Sequence, residues 1–215
     1  MSALASAAKA GDLGECRRLY AENAYTRKAI NWVLLCGAAN GHLGVCKWIC
    51  ATASAECLDV RAYNNYALRF AAQYGHLGVC QWLHATFHLT TEDARTSYNW
   101  ALREAAQNGH LGVCRWLHAT YALTPADARA KNNEALRMAA ENGHLGVCEW
   151  LHATYGLTAE DARACGNYAL GWAAFNDHLK MCQWLHTTFG FAAADWETYG
   201  VNPKLVVAVW IASLE

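Results

Sequence analysis

Cys80 and His84 stand four residues apart, and the pair returns as Cys114/His118, Cys148/His152 and Cys182/His186. Residues four apart share one face of a helix, so each pair offers two of the ligands that zinc takes, or a thiol beside a base. A structural zinc site closes with four ligands, and no unit supplies them. Each cysteine also falls at core spacing, as Cys80 does beside Val79 and Leu83, where a free thiol behaves as a small hydrophobe. The sequence therefore predicts packing for these thiols, no metal ligands and no cofactor. A metal- or redox-responsive protein using the repeated Cys/His positions is the alternative reading.

A second histidine row, His42, His76, His110, His144 and His178, carries groups suited to acid–base work. Catalysis needs one asymmetric set of nucleophile, base and orienting group, and equivalent histidines with the same neighbours supply none. The expectation is a hydrogen bond to the adjacent turn, with no catalytic residue anywhere in the chain. Arg69, Arg103 and Arg137 recur alongside the carboxylates Asp93, Asp127 and Asp161, so ion pairs between units are expected of them in preference to a phosphate-binding stripe. Trp48, Trp82, Trp116, Trp150 and Trp184 fall at helix-core spacing and read as core.

What sets these rows in register is a repeat. Gly-His-Leu-Gly-Val-Cys begins at Gly41, Gly75, Gly109 and Gly143, each 34 residues after the last, and Asp177 to Cys182 keeps the step. In the unit 99–132, Asn99 is read as the cap of a helix whose apolar positions Ala101, Leu102, Ala105 and Ala106 recur at helical spacing. Gly109 stops it, and Leu111, Val113, Cys114, Trp116 and Leu117 trace a second helix. Thr124-Pro125-Ala126-Asp127 then predicts a further helical turn, and the same Thr-x-x-Asp stands at Thr90 and Thr158. Gly44, Gly78, Gly112 and Gly146 sit early in the second helix, at about 1 kcal/mol each relative to Ala, and the sequence gives no reason for them.

The predicted fold is all-α, a solenoid of about six stacked helix-turn-helix repeats with a 34-residue period. One domain is expected over 1–215. It comprises a shortened N-terminal repeat at 1–30, full repeats at 31–64, 65–98, 99–132, 133–166 and 167–200, and a C-terminal capping helix at 201–215. The first unit places polar Arg17 and Arg18 where later units carry Lys47-Trp48, as a solvent-facing cap does. The last helix, opened by Asn202-Pro203, is apolar nearly all round through Leu214, so self-association through Leu205, Val209 and Trp210 is expected.

Tyr66-Ala67-Leu68-Arg69-Phe70-Ala71-Ala72-Gln73-Tyr74-Gly75-His76-Leu77-Gly78-Val79-Cys80, with Trp100 to Cys114 and Glu134 to Cys148, resembles the ankyrin repeat. The core of that motif runs Thr-Pro-Leu-His-x-Ala-Ala-x-x-Gly-His-Leu-x-Val-Val. Here Thr-Pro becomes an aromatic or Glu followed by Ala, His becomes Arg, and the usual hairpin loop becomes Leu-Thr-x-x-Asp-Ala-Arg, so no extended β-finger is expected. With Trp-Leu-His after the cysteine the chain looks like the divergent ankyrin-like arrays of protists and giant viruses. A tetratricopeptide array shares the period but lacks its Trp-x-x-Leu-Gly-x-x-Tyr opening here. The resemblance implies a non-catalytic protein–protein interaction module that binds its partner through a concave face of first helices and loops.

The positions that change while their surroundings stay fixed are the candidate partner-binding residues. They are Tyr66, Trp100, Glu134 and Tyr168 early in the first helix, Gln73, Gln107, Glu141 and Phe175 late in it, and Tyr74, Asn108, Asn142 and Asn176 just before the turn. A middle row, Cys36, Phe70, Glu104, Met138 and Trp172, lies close to the same face and reads equally well as interior packing. Lysine plus arginine number 17 against 18 acidic residues, so no basic excess draws the chain to nucleic acid or to a membrane surface. The longest apolar run, Leu205 to Ala212, is far short of the roughly 20 residues that span a bilayer. No secretory signal is read at the start, and a cytoplasmic or nuclear location is expected. The partner is expected to be another protein.

Overall fold

The helices begin where the sequence offers caps. Ser2, Asp12 and Thr26 each accept a hydrogen bond from the backbone N–H three residues on, at 3.3, 2.8 and 3.3 Å. They open α1 (Ala3–Ala10), α2 (Leu13–Glu22) and α3 (Arg27–Ala39). In this computed structural model, which describes residues 2–53, 58–192, 195 and 205–212, there follow α4 (Leu43–Thr52), α5 (Ala62–Gln73), α6 (Leu77–Phe87) and α7 (Thr91–Gln107). Then come α8 (Leu111–Tyr121), α9 (Pro125–Ala128), α10 (Ala130–Glu141), α11 (Leu145–Tyr155), α12 (Ala159–Ala162), α13 (Ala164–Phe175), α14 (Leu179–Phe189) and α15 (Leu205–Ala212). The expected all-α repeat architecture is what the described residues show, with no strand among them. Nor is any helix among them long and apolar enough to cross a membrane.

The chain divides into two compact units, one up to Ala101 and the other from Leu102. In the first, α1 packs on α3 and α3 on α5, while α2 packs on α4. In the second, α10 packs on α13, and α11 lies against α8 and α14. First helices thus stack on first helices and second on second. The paired alanines explain the close stacking: Ala71 and Ala72 of α5, and Ala139 and Ala140 of α10, are fully buried. Leu68, Leu83, Leu136 and Leu151 fill the space between the helices of each pair, and each buried leucine removes apolar surface worth roughly 2 kcal/mol. The tryptophan row, expected as core, is half-buried: Trp82, Trp116, Trp150 and Trp184 stand edge-on to an aromatic five residues on, as Trp150 does to Tyr155 at 5.6 Å, and Trp48 stands edge-on to Tyr20 at 5.5 Å.

The Ala-Ala-x-x-Gly-His string is a helix stop that also joins repeats. In the first unit Gly75 N–H donates to Ala72 and His76 N–H to Ala71, at 3.1 and 2.8 Å, and in the second Gly143 and His144 do the same to Ala140 and Ala139. These are the two bonds of a Schellman cap, which requires a left-handed residue, and Gly143 has φ of +73°. The histidine then reaches back to the preceding repeat: His42 Nε2 lies 3.0 Å from the Lys9 carbonyl and His76 Nε2 lies 3.2 Å from that of Ala39. The rings of His42, His76, His144 and His178 each cover the preceding repeat's glycine so closely that a Cβ on Gly143 would sit 2.7 Å from His178 Nδ1. The hydrogen bond expected of this histidine row is present at His42, His76 and His144. Glycine is required twice over, by φ and by the ring.

The second glycine row has no such reason. A Cβ on Gly44 or Gly78 would meet nothing within 4 Å, and one on Gly146 only Leu111 Cδ2 at 4.0 Å.

Two expectations are corrected at the loops. Asn99 does not cap the first helix from an extended conformation. It closes a left-handed turn, Ser97-Tyr98-Asn99, whose equivalents are Tyr63-Asn64-Asn65, Lys131-Asn132-Asn133 and Cys165-Gly166-Asn167, all at positive φ. Nor do Arg69, Arg103 and Arg137 pair with the aspartate row. Asp93 is bound by Arg61 at 2.9 Å and Asp161 by Arg129 at 2.8 Å, arginines from the Asp-Ala-Arg segment or its equivalent one repeat earlier. The aspartate lies in the loop layer beside those segments, while the first-helix arginines project elsewhere.

The Thr-x-x-Asp turn itself forms as expected. Thr158 and Asp161 make a reciprocal capping box, the Thr158 N–H donating to Asp161 Oδ2 at 2.8 Å. Burial alone would raise the Asp161 carboxyl, but Arg129, the Thr158 N–H and Asn133 outweigh it and hold the pKa below its usual value.

At the C-terminal end, Val207 of α15 is buried and its N–H donates to Asp177 Oδ1 at 3.4 Å, while Trp210 stands edge-on to His186 at 5.7 Å. Trp210 is therefore engaged within the chain, and Val209, 64% exposed, faces solvent. The Asn202-Pro203 start, the Leu205 side chain and Leu214 lie outside the described residues.

Candidate functional site

The chemistry that the Cys/His pairs would offer is taken up by structure. Cys80 and Cys114 are completely buried, and desolvation pushes both thiols up to about 12. Their helical partners turn to the loop: Nδ1 of His84, His118 and His152 lies 3.1, 3.1 and 2.8 Å from the carbonyl five residues on. Among the described residues no three His, Cys, Asp or Glu side chains gather as a metal site. His144, partly buried between repeats, has its pKa lowered by desolvation and by the neighbouring histidines, against the hydrogen bond to the Gln107 backbone.

The first helices carry a different surface. In the first unit their aromatic residues touch one another from repeat to repeat. Trp32 lies 5.9 Å from Tyr66, Tyr66 stacks on Phe70 at 3.8 Å, and Phe70 meets both Trp100 at 4.9 Å and Tyr74 at 6.2 Å. Between them a groove of about 620 Å³ opens, walled by Trp32, Tyr66, Phe70 and Tyr74, with Leu35 on its apolar side and Lys9 at its edge. Each of these aromatic rings keeps some solvent exposure, and Tyr74 is 51% exposed.

Arginine fixes the first row in place. Arg69 donates to the Tyr63 carbonyl at 3.1 Å and lays its guanidinium 4.8 Å from the Trp100 ring centre. In the second unit Arg137 donates to the carbonyls of Asn132 and Lys131, at 2.8 and 3.1 Å, and covers Tyr168 at 4.8 Å. Arg103 forms an ion pair with Glu134. Arg69 and Arg137 thus tie their own left-handed turns to the variable position of the next repeat by a cation–π contact, and Arg103 meets that position by an ion pair.

The structure brings several expected site residues together and separates others. Tyr66 and Tyr74 share the groove, Trp100 borders it through Phe70, and Gln73 is half-buried outside its lining. In the second unit Tyr168 donates from its hydroxyl to Glu141 at 2.6 Å, and Asn176 donates to the Glu141 carbonyl at 3.0 Å. Phe175, 40% exposed, lies 5.2 Å from Trp172. Glu134 and Gln107 are half-buried. Asn108 and Asn142 are exposed, but their amides donate to the carbonyls of Glu104 and Met138 four residues back, so they cap the helix end.

Sequence reasoning left the middle row open and missed the turn tips. Phe70, Glu104, Met138 and Trp172 reach the surface, and of that row Cys36 alone is nearly covered. Tyr63, Tyr98, Lys131, Asn132 and Cys165 are exposed on the left-handed turns. The signal for them was that these positions vary while Asn65, Asn99, Asn133 and Asn167 beside them do not.

A family model described as ankyrin repeats (3 copies) matches residues 68–163 and 102–192. Among solved structures, the crystal structure of the human ASB11 ankyrin repeat domain is similar in fold. It superposes with a TM-score of 0.70 at 18% identity, over 100% of this chain and 98% of that one. No curated protein matches the sequence.

Proposed function

The chain belongs to the ankyrin-repeat family, and from that premise we propose that it holds a partner protein through the exposed side of its first helices and the left-handed turns that precede them. Ankyrin repeats are in general protein–protein interaction modules, and the fold is typically non-catalytic. The observation that carries the finer reading is a contrast between rows. The cysteine, alanine and histidine rows hold one residue type and are used up in packing and in hydrogen bonds between repeats. The first-helix rows change from repeat to repeat and leave large aromatic side chains, Tyr74 and Phe175 among them, open to solvent. Aromatic anchors on a rigid support are the usual source of interface energy. Tyr66, Gln73, Tyr74, Trp100, Glu134, Glu141, Tyr168, Phe175 and Asn176 belong to this proposed surface, with Phe70 and Trp172 added and with Gln107, Asn108 and Asn142 at its border.

The test is differential capture from the native cell extract. Tyr74→Ala and Phe175→Ala truncate exposed rings, and each is expected to weaken capture by about 2 kcal/mol, roughly thirtyfold, where it acts as an anchor. Lys47→Ala and Arg115→Ala on the second helices are expected to capture as the wild type does. A partner whose capture survives both aromatic changes and is lost with Lys47→Ala or Arg115→Ala places the binding surface on the other side.

A further inference from the structure

We propose that the groove of the first unit is a subsite for an acidic peptide segment, taking one large apolar side chain with carboxylates beside it. The proposal rests on the partner-binding reading and narrows it to a ligand chemistry. The groove's volume, about 620 Å³, accommodates one aromatic or branched aliphatic side chain with part of its backbone. Trp32, Leu35, Tyr66 and Phe70 provide the apolar wall, and exposed Tyr74 provides a lip.

The charge is one-sided. Lys9, exposed at the end of α1, lines the groove, and among the described residues no Asp or Glu does. The Arg69 guanidinium stands 5.9 Å from the Phe70 ring centre without lining the groove, so the positive charge at the groove is that of Lys9. The chain as a whole carries a net charge of −1, so this local excess belongs to the groove. Cations against low-dielectric aromatic walls favour a carboxylate over a second cation. Aromatic faces can also attract cations, but Tyr66 and Phe70 lie nearly parallel, 15° apart, so each covers one face of the other, and Lys9 repels a cationic guest.

Fluorescence anisotropy of a fluorescein-labelled Asp-Glu-Phe-Leu-Asp-Glu peptide titrated with the full chain tests this. Saturable binding is expected, at least tenfold tighter than for the same peptide with Lys at each acid or with Ala at both apolar positions. Lys9→Gln should weaken it by about three- to fivefold, the range of a partly exposed ion pair, and Lys9→Glu by more. Tyr74→Ala should weaken it and Phe175→Ala should not, with circular dichroism confirming that each variant is folded. Equal or tighter binding of the Lys peptide, no binding of the acidic one, or indifference to both Lys9 changes overturns the proposal. A captured partner lost with Tyr74→Ala but unaffected by Lys9→Glu refutes the acidic subsite and leaves the wider reading standing. Peptide binding as expected, with partner capture indifferent to Tyr74→Ala and Phe175→Ala, refutes the wider reading instead.

Discussion

Gly143 and Gly146 lie three residues apart in one repeat, and replacing each by alanine should move stability in opposite directions. At Gly143 φ is +73°, where an L side chain costs about 1 kcal/mol or more. The new Cβ would also stand 2.7 Å from His178 Nδ1, so the ring must leave the glycine and give up its packing between repeats, about 1 kcal/mol further. Gly143→Ala should therefore destabilise by about 2 to 3 kcal/mol in all. At Gly146 the conformation is helical and the nearest atom to a Cβ is Leu111 Cδ2 at 4.0 Å. Gly146→Ala should stabilise by up to about 1 kcal/mol, the ordinary helix-interior difference. Urea unfolding followed by far-UV circular dichroism reads both. The steric part separates in a double-mutant cycle: in a His178→Ala background the cost of Gly143→Ala should fall to the conformational share, about 1 kcal/mol. Equal losses at the two glycines, or a Gly143 penalty indifferent to His178, would refute the argument that the glycine row is fixed by the histidine above it.

Asp161→Asn should destabilise by about 1 to 2 kcal/mol, because it weakens the Arg129 pair and the Thr158 capping box together. The carboxyl is held below its unfolded value of 3.8, so the stability it adds is complete above that value and lost as pH falls through the folded one; the variant should flatten the acid limb of stability against pH. His144 works in the same direction below its ordinary value of 6.5, since its folded pKa is lowered and protonation favours the unfolded chain. Thiol labelling of the folded protein at neutral pH should modify exposed Cys165 well before Cys80, Cys114 and Cys148, which react only at the rate of unfolding; equal rates would contradict their burial. Trp100→Ala should lower the thermal midpoint, because it removes the partner of Arg69 and Phe70, whereas Tyr74→Ala should leave it nearly unchanged; the reverse order would exchange their roles.

The repeat made much of this legible in advance. A 34-residue step fixes which residues are equivalent, and equivalence told packing from recognition wherever a row held one residue type. The Cys80, His76 and Gly75 rows were read in this way, and the Thr-x-x-Asp turn followed from cap chemistry alone. Partner choice in the loops was not legible. Arg61 and Arg69 are both arginines within reach of Asp93 by sequence order, and which one meets it depends on a left-handed turn between them that no periodicity encodes. The same turn hid Tyr63 and Tyr98, because an asparagine ahead of an apolar helix reads as an ordinary cap. Asn108 and Asn142 stand in a row that varies, with Tyr74, and so read as surface, but their amides close helix ends.

Those turns bear on the proposed function. Three consecutive left-handed residues cost about 1 to 2 kcal/mol apiece for most L residues and less for asparagine, which fills many of these positions, and among the described turns glycine stands at one, Gly166. Such a conformation persists only if its surroundings fix it from several sides. Asn65 N–H closes the turn on the Arg61 carbonyl at 3.1 Å, its amide donates to Thr96 Oγ1 in the next loop at 2.9 Å, and Arg69 holds the Tyr63 carbonyl at 3.1 Å. In the second unit Asn133 and Arg137 repeat the arrangement around Lys131 and Asn132. The exposed side chains on these turns are therefore presented from a backbone that has already lost its freedom, and a partner meeting them has little ordering entropy to overcome. A flexible hairpin tip would offer the same side chains and bind more weakly for each contact made. The strain in the turns and the variability of their tips are then two aspects of one design, a fixed support on which the residue types alone are free to change.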